Sequence, residues 1–110
     1  MGKVIQLQVG EFEVAVSFYD QNAIIVIHNS IPGVGQILYT ENDGKHIDID
    51  QFIGENNQYL NLFVTHIAKM FSTRSITFIL SFHPSKMSSF DAIKDFTSKF
   101  AEAVKKSSPE

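Results

Sequence analysis

A chain of 110 residues has the length of one small domain, and its 44% hydrophobic and 19% charged residues exclude a disordered chain. Cysteine is absent, which excludes disulfides, thiolate chemistry and cysteine-ligated zinc. The net charge of −3 argues against non-specific nucleic-acid binding. The sequence has no signal-peptide run and no membrane-spanning stretch, so we expect a protein of the cytoplasm or the nucleus.

The first forty residues predict four strands. Residues 4–9 and 12–19 alternate apolar and polar side chains with a period of two, which is the pattern of a strand with one buried face. Residues 23–27 are apolar at every position and favour a central strand covered on both faces. Residues 35–40 predict a fourth strand that closes an antiparallel meander.

The middle of the chain predicts a loop followed by a helix. Residues 41–50 are polar and acidic, which indicates a long surface loop with a short edge strand at 47–49. Asn56 or Asn57 is placed to cap a helix, because a side-chain oxygen there can accept a free backbone N–H. Apolar residues then recur at helical spacing over 60–71 and form one stripe.

The last third predicts a strand and a second helix. Residues 76–82 are rich in β-branched and aromatic side chains, and residues 88–91 resemble a capping box ahead of the helix. The predicted fold is therefore α+β, an antiparallel sheet of five to six strands that begins with a β-meander and carries two helices on one face. We expect residues 1–106 to form a single domain and 107–110 a frayed tail.

The predicted sheet has more apolar surface than two helices cover. We expect the helices to cover the face that carries Phe12, Val14, Val16 and Phe18, which leaves apolar side chains on the second face. An antiparallel sheet normally exposes a polar second face, so an apolar one predicts a second subunit, with a fold-back of the 41–50 loop as the alternative. The candidates for this dimer interface are Ala15, Tyr19, Ile25, Ile27 and Tyr39.

Patterns for catalysis or metal binding are weak. The four histidines lack metal-ligand spacing, and Gly33-Val34-Gly35 lacks the third glycine of a phosphate loop and predicts a hairpin turn. Asp48 and Asp50 lie in a polar segment with no sign of a pocket that would shift a pKa. We therefore expect a protein that is not an enzyme, with no cofactor, no metal, and no nucleic-acid or membrane partner.

The order of three motifs carries a resemblance to a known family. The apolar strand at 23–27 leads through a Gly-x-Gly turn into residues 36–39, Phe52-Ile53-Gly54 precedes the first helix, and the apolar strand at 76–80 precedes the last helix. From about Phe18 to Phe100 this order resembles the proteasome assembly chaperone 3 and chaperone 4 family. The resemblance implies a homodimer, or a heterodimer with a sister chaperone, that transiently binds α-type subunits of the proteasome core particle and promotes α-ring assembly.

The partner-contact candidates follow from charge. The acidic 41–50 segment and the lysine-bearing last helix are the two charged surfaces, and their candidate residues are Asp43, Asp48, Asp50, Lys99, Lys105 and Lys106. Two alternatives stay open. One is a longin- or roadblock-like dimerising trafficking module, in which a helix normally comes earlier than residue 55. The other is a small cofactor-free enzyme with an acid–base His or Asp between the helices and the sheet.

Overall fold

The computed structural model describes residues 3–29, 35–54, 57–71 and 73–107. It contains a six-stranded mixed sheet with two α-helices packed on one face, so the predicted α+β class is confirmed. The strands are β1 (Lys3–Val9), β2 (Phe12–Tyr19), β3 (Asn22–Asn29), β4 (Gly35–Asn42), β5 (Ile47–Ile53) and β6 (Ser75–Ser81), the helices are α1 (Gln58–Met70) and α2 (Phe90–Ser107), and a 3₁₀ turn spans Pro84–Met87. The predicted tail at 107–110 overlaps α2 at Ser107, and its other residues lie outside the described part of the chain.

The strand order, β1-β2-β3-β6-β4-β5, differs from the predicted meander. The first three strands form an antiparallel meander as predicted, but β6 pairs parallel with β3 and antiparallel with β4. The predicted pairing of the third and fourth strands is therefore wrong. The physical reason is that β6 buries Ile76, Phe78 and Leu80, and the most apolar strands occupy the centre of a sheet. Gly33 and Val34 of the predicted hairpin turn lie outside the described residues.

The acidic segment 41–50 extends the sheet and is not the predicted long loop. β4 continues to Asn42 and β5 begins at Ile47, so only residues 43–46 form a turn. The side chains of Ile47 and Ile49 pack against the core, whereas Asp48 between them is exposed. The acidic residues are therefore the outward positions of a period-two strand, which made that strand resemble a loop.

The core lies between the sheet and the two helices. Phe12, Val14 and Val16 of β2 are buried there, which confirms the predicted helix-covered face. The ring of Phe96 in α2 contacts those of Phe12 and Phe63 edge to face at centroid distances of 5.3 and 5.2 Å. Such pairs add about 0.5–1.5 kcal/mol each beyond the area they bury, so the phenylalanines fasten both helices to the sheet.

Side-chain caps start both helices. The Oδ1 atom of Asn57 accepts hydrogen bonds from the backbone N–H groups two and three residues further on, at 2.8 and 3.3 Å. This confirms Asn57, one of the two residues predicted to cap α1. The alternative cap, Asn56, lies outside the described residues. At α2 the Oγ atom of Ser89 accepts the N–H of Ala92 at 3.1 Å, so the capping residue is one position later than the capping box predicted at 88–91.

Candidate protein-binding site

The sheet face opposite the helices carries an apolar row that crosses five strands. We call this side the open face. Cross-strand pairing places Ala15 beside Val26, Val26 beside Ile79, Ile79 beside Ile37, and Ile37 beside Ile53. These five residues, here named the apolar row, are adjacent across the full width from β2 to β5.

Several large side chains around this row are exposed. Ile24 is 45% exposed, Ile79 36%, Phe52 64% and Ile53 53%. Isolated exposed apolar residues are common, but a contiguous apolar patch on a sheet usually marks an interaction surface. The open face is therefore the candidate protein-binding site of the described chain.

Part of the open face is a shallow depression of about 400 Å³. Tyr19, Ile24, Tyr39 and Thr77 line it, together with three polar neighbours and Ala23. Tyr19 and Tyr39 are two of the predicted dimer-interface residues, and Ala15, a third, belongs to the apolar row. The structure thus places three of the five predicted interface residues on the open face.

The other two predicted interface residues lie on the wrong side of the sheet. Ile25 and Ile27 are 0% exposed and belong to the core beneath the helices, so they are corrected from interface to core. Successive residues of a strand point to opposite faces, and the open-face residues of β3 are Ile24 and Val26. Because residues 23–27 are all apolar, only alignment with the alternating β2 pattern could have separated the two sets.

The 41–50 segment does not fold over the open face, which was the alternative to a second subunit. Its residues form the end of β4, a turn and the start of β5. The carboxylate of Asp43 accepts the backbone N–H groups of Lys45 at 2.9 Å and His46 at 2.7 Å, and these hydrogen bonds lower the pKa of Asp43. Asp43 therefore holds the turn closed and keeps β5 in line with the sheet.

A glutamine pair and a glycine shape the end of β5. The Nε2 group of Gln51 donates hydrogen bonds to Gln36 Oε1 and to the backbone carbonyl of Ile53, both at 2.8 Å. Gly54 adopts φ +100°, and a Cβ atom there would overlap the carboxamide of Gln36. Only glycine fits both the left-handed backbone and the close approach.

This arrangement explains the Phe52-Ile53-Gly54 motif of the sequence. Gly54 directly follows the end of β5, and Phe52 and Ile53, the last two residues of the strand, are exposed. The ring of Phe52 stacks on that of Tyr39 at a centroid distance of 6.2 Å and an interplanar angle of 20°. The motif therefore extends the apolar surface of the open face to the β5 edge.

Carboxylates border the apolar row. The acidic residues at the described strand positions of the open face are Glu13, Glu41, Asp48 and Asp50. No lysine or arginine occupies a described strand position on this face. We call these four residues the acidic rim. Glu13 Oε1 lies 3.3 Å from the Nε2 atom of His28, the one histidine on this face.

The predicted lysine contacts lie on the other side of the molecule. They belong to α2, which covers the opposite sheet face, and all three are exposed. Lys99 and Lys106 are about two helical turns apart and share a side of the helix, whereas Lys105 projects from its other flank. The Nζ atom of Lys99 is 3.1 Å from Asp95 Oδ2. The acidic and basic candidates therefore form two separate surfaces.

The described residues offer little for metal chemistry or membrane insertion. Within ranges 3–29, 35–54, 57–71 and 73–107, no three His, Asp or Glu side chains converge on a point where a metal ion could bind. Neither α1 nor α2 combines the length and the apolar character that crossing a bilayer demands.

The fold recurs among solved structures. The chain is similar to a chain in the crystal structure of a novel chaperone complex for yeast 20S proteasome assembly, with a TM-score of 0.57 and 11% sequence identity. The match covers 96% of this chain and 91% of that chain, so the whole architecture is common to both. No protein-family model matches the sequence, and neither does any curated protein.

Proposed function

We propose that this chain is a proteasome assembly chaperone-like protein. It dimerises through the open face, with itself or a sister chaperone, and transiently binds α-type subunits of the proteasome core particle to promote α-ring assembly. The observation that carries the proposal is the fold likeness, over 96% of this chain, to a chain of a yeast 20S proteasome-assembly chaperone complex. The motif order of the sequence supports the same family.

The size of the open face supports pairing with another protein. Six strands at about 4.8 Å spacing and seven residues at about 3.3 Å each give a face of roughly 29 by 23 Å, or about 670 Å². A stable protein interface buries about 800 Å² on each partner. The flat estimate leaves out the side chains that project from the face and increase its accessible area. With that increase the face is large enough for a dimer interface.

Features of the fold favour this proposal over the two alternatives. Among the residues that the structure describes, five strands precede the first helix, which begins at Gln58, whereas a longin- or roadblock-like module would have a helix earlier. An acid–base enzyme would need a pocket with a carboxylate or imidazole between the helices and the sheet. That space is filled by packed rings, among them Phe12, Phe63 and Phe96.

The first test is capture of partners by the tagged full chain from a lysate of its own cell type, followed by mass spectrometry. We expect enrichment of proteasome α subunits because the family likeness implies that partner class. Enrichment of GTPases or coat components instead would favour the trafficking module. Recovery of neither class would contradict the chaperone proposal.

A second test locates the α-subunit contact. The variant Lys99→Glu, Lys105→Glu, Lys106→Glu reverses three exposed charges on α2 and should weaken α-subunit capture if that helix binds. The matched control, Lys3→Glu, Lys45→Glu and Lys69→Glu, changes net charge equally at exposed sites outside α2. Equal capture by wild type and the α2 variant would remove this helix from the contact and leave the acidic residues 43, 48 and 50.

A further inference from the structure

The two outer strands of the sheet, β1 and β5, present different edges. β5 carries Asp48 and Asp50, and its pairing with β4 shifts in register between Ile37 and Leu38. Charges and irregular pairing keep other strands from adding to an edge. β1 has neither protection, because its seven residues include no proline or glycine, its pairing with β2 is regular, and its one charged residue, Lys3, is the first. β1 is therefore the edge that is open to another strand.

The backbone of β1 has unused hydrogen-bonding groups. A two-residue turn at 10–11 joins β1 to β2, so Val9 and Phe12 on either side of it form a hydrogen-bonded pair. Such pairs alternate with pairs that are not hydrogen-bonded, so the backbone groups of Val4, Gln6 and Gln8 point away from the sheet. Among the described residues, no other backbone group hydrogen-bonds to these three.

Helix α2 lies along this hairpin. The ring of Phe96 contacts that of Phe12 beside the turn. The ring of Phe100 contacts that of Phe71, which in turn contacts Phe18 at the other end of the hairpin. α2 therefore runs from the turn of the hairpin towards the end at which β1 begins.

A partly covered groove lies between β1 and α2. Ile5 and Leu7 point to the helix side of the sheet and are only partly buried. Lys99 and Val9 line the same shallow depression, which places the flank of α2 that carries Lys99 and Lys106 beside β1. A strand added to β1 would place every second side chain against this flank.

The groove is basic at the end where β1 begins. Lys99 is paired with Asp95 at 3.1 Å, whereas Lys3 and Lys106 have no ion-pair partner within 4.0 Å among the described residues. Glu102, one turn before Lys106, is exposed and forms no ion pair within that limit in the described part of the chain. Carboxylates on an added strand would complement the two lysines.

We propose that the β1 edge binds an extended segment of a partner protein by β-strand addition. The segment alternates apolar residues with others and carries a carboxylate where β1 begins. The outward backbone groups of β1 supply hydrogen bonds, Ile5 and Leu7 contact the apolar side chains, and Lys3 and Lys106 select the carboxylate. The inference goes beyond the proposed function, because it uses the edge of the sheet and not the open face.

The test uses a capped peptide of the same seven-residue length as β1, in which threonine alternates with valine between two terminal glutamates. It is titrated to about 1 mM into the isotope-labelled full chain, and amide shifts and hydrogen exchange are followed by NMR. We expect the amides of Val4, Gln6 and Gln8 to exchange at least about tenfold more slowly with peptide bound. A peptide with lysine at both ends should bind at least about fivefold more weakly, and this difference should vanish in 1 M NaCl.

Two matched variants isolate the backbone of the edge. Gln6→Pro removes one outward N–H and no bond to β2, and edge strands tolerate proline at such positions. It should weaken peptide binding about tenfold, whereas Gln6→Ala keeps the N–H and should bind as wild type does. If Gln6→Pro does not fold by circular dichroism, the double variant Lys3→Glu, Lys106→Glu replaces it and should remove the preference for the glutamate peptide.

Each of four results would overturn the proposal. The first is no amide change up to the highest concentration of the glutamate peptide. The second is equal binding by Gln6→Pro and Gln6→Ala, and the third is equal affinity for the two peptides. The fourth is slow exchange of the Gln6 amide in the free chain that increases with protein concentration, because a second copy would then occupy the edge.

Discussion

Two neighbouring isoleucines of β3 test the assignment of the two sheet faces. Ile25 is 0% exposed and pairs across the sheet with Val16 and Phe78, whereas Ile24 is 45% exposed and lies between Ser17 and Thr77. Truncating a buried isoleucine to alanine removes its burial and leaves a cavity, at about 2–5 kcal/mol. Truncating a half-exposed one loses about 1 kcal/mol or less.

The assays are urea and thermal unfolding of Ile25→Ala and Ile24→Ala, monitored by circular dichroism at a concentration low enough to suppress association. We expect Ile25→Ala to lose about 3 kcal/mol, which for a domain of this size lowers Tm by roughly 12 °C. Ile24→Ala, the matched control on the same strand, should shift Tm by about 4 °C or less. Equal losses, or a larger loss at Ile24, would refute the assignment of the open face.

Three further changes test local structure. Asn57→Ala removes the cap of α1 and should cost about 1 kcal/mol in the same urea assay, with no loss counting against the cap. Gly54→Ala forces a Cβ into the Gln36 carboxamide at a positive φ and should cost more than about 1 kcal/mol; an unchanged midpoint would contradict that contact. The hydrogen bonds of the turn lower the pKa of Asp43 in the folded protein from the unfolded pKa of 3.8. The stability that this carboxylate adds is therefore present at pH values above 3.8 and is lost as the pH falls through the lowered pKa of the folded state. The difference in stability between wild type and Asp43→Ala should therefore be constant at neutral pH and shrink below pH 3.8, and a constant difference down to the most acidic pH would contradict it.

Local patterns predicted most of the elements, because the apolar residues of those elements recur with a clear period. The alternation over 12–19 predicted β2 and its buried face, and the helical spacing from Leu60 to Ile67 predicted α1. The strand β5 was mostly missed because its outward positions are acidic, and charge outweighed the isoleucines at 47 and 49. A period-two reading of Ile47, Ile49 and Gln51 would have found it.

The candidate site was harder to predict than the elements. On β3 every residue from 23 to 27 is apolar, so the pattern does not show which side chains point to which face of the sheet. Ile25 and Ile27 were therefore assigned to the wrong face. The face of each β3 side chain is set by the pairing with β2, which places Ile24 beside Ser17 and Ile25 beside Val16. A second part of the site, the pairing of β3 with β6, joins residues more than fifty positions apart, as Asn22 and Ser75 show, so no local pattern predicts it.

The insertion of β6 between β3 and β4 creates the candidate surface. It places Ile79 between Val26 and Ile37, and so joins apolar residues from distant segments into one row. Without β6 in that position the row would have no centre. A chain with only 11% identical residues shares this fold, so the fold does not depend on most of the individual side chains. Glu41 and Asp48 are exposed, so substitutions there change the charge of the open face without removing a core contact.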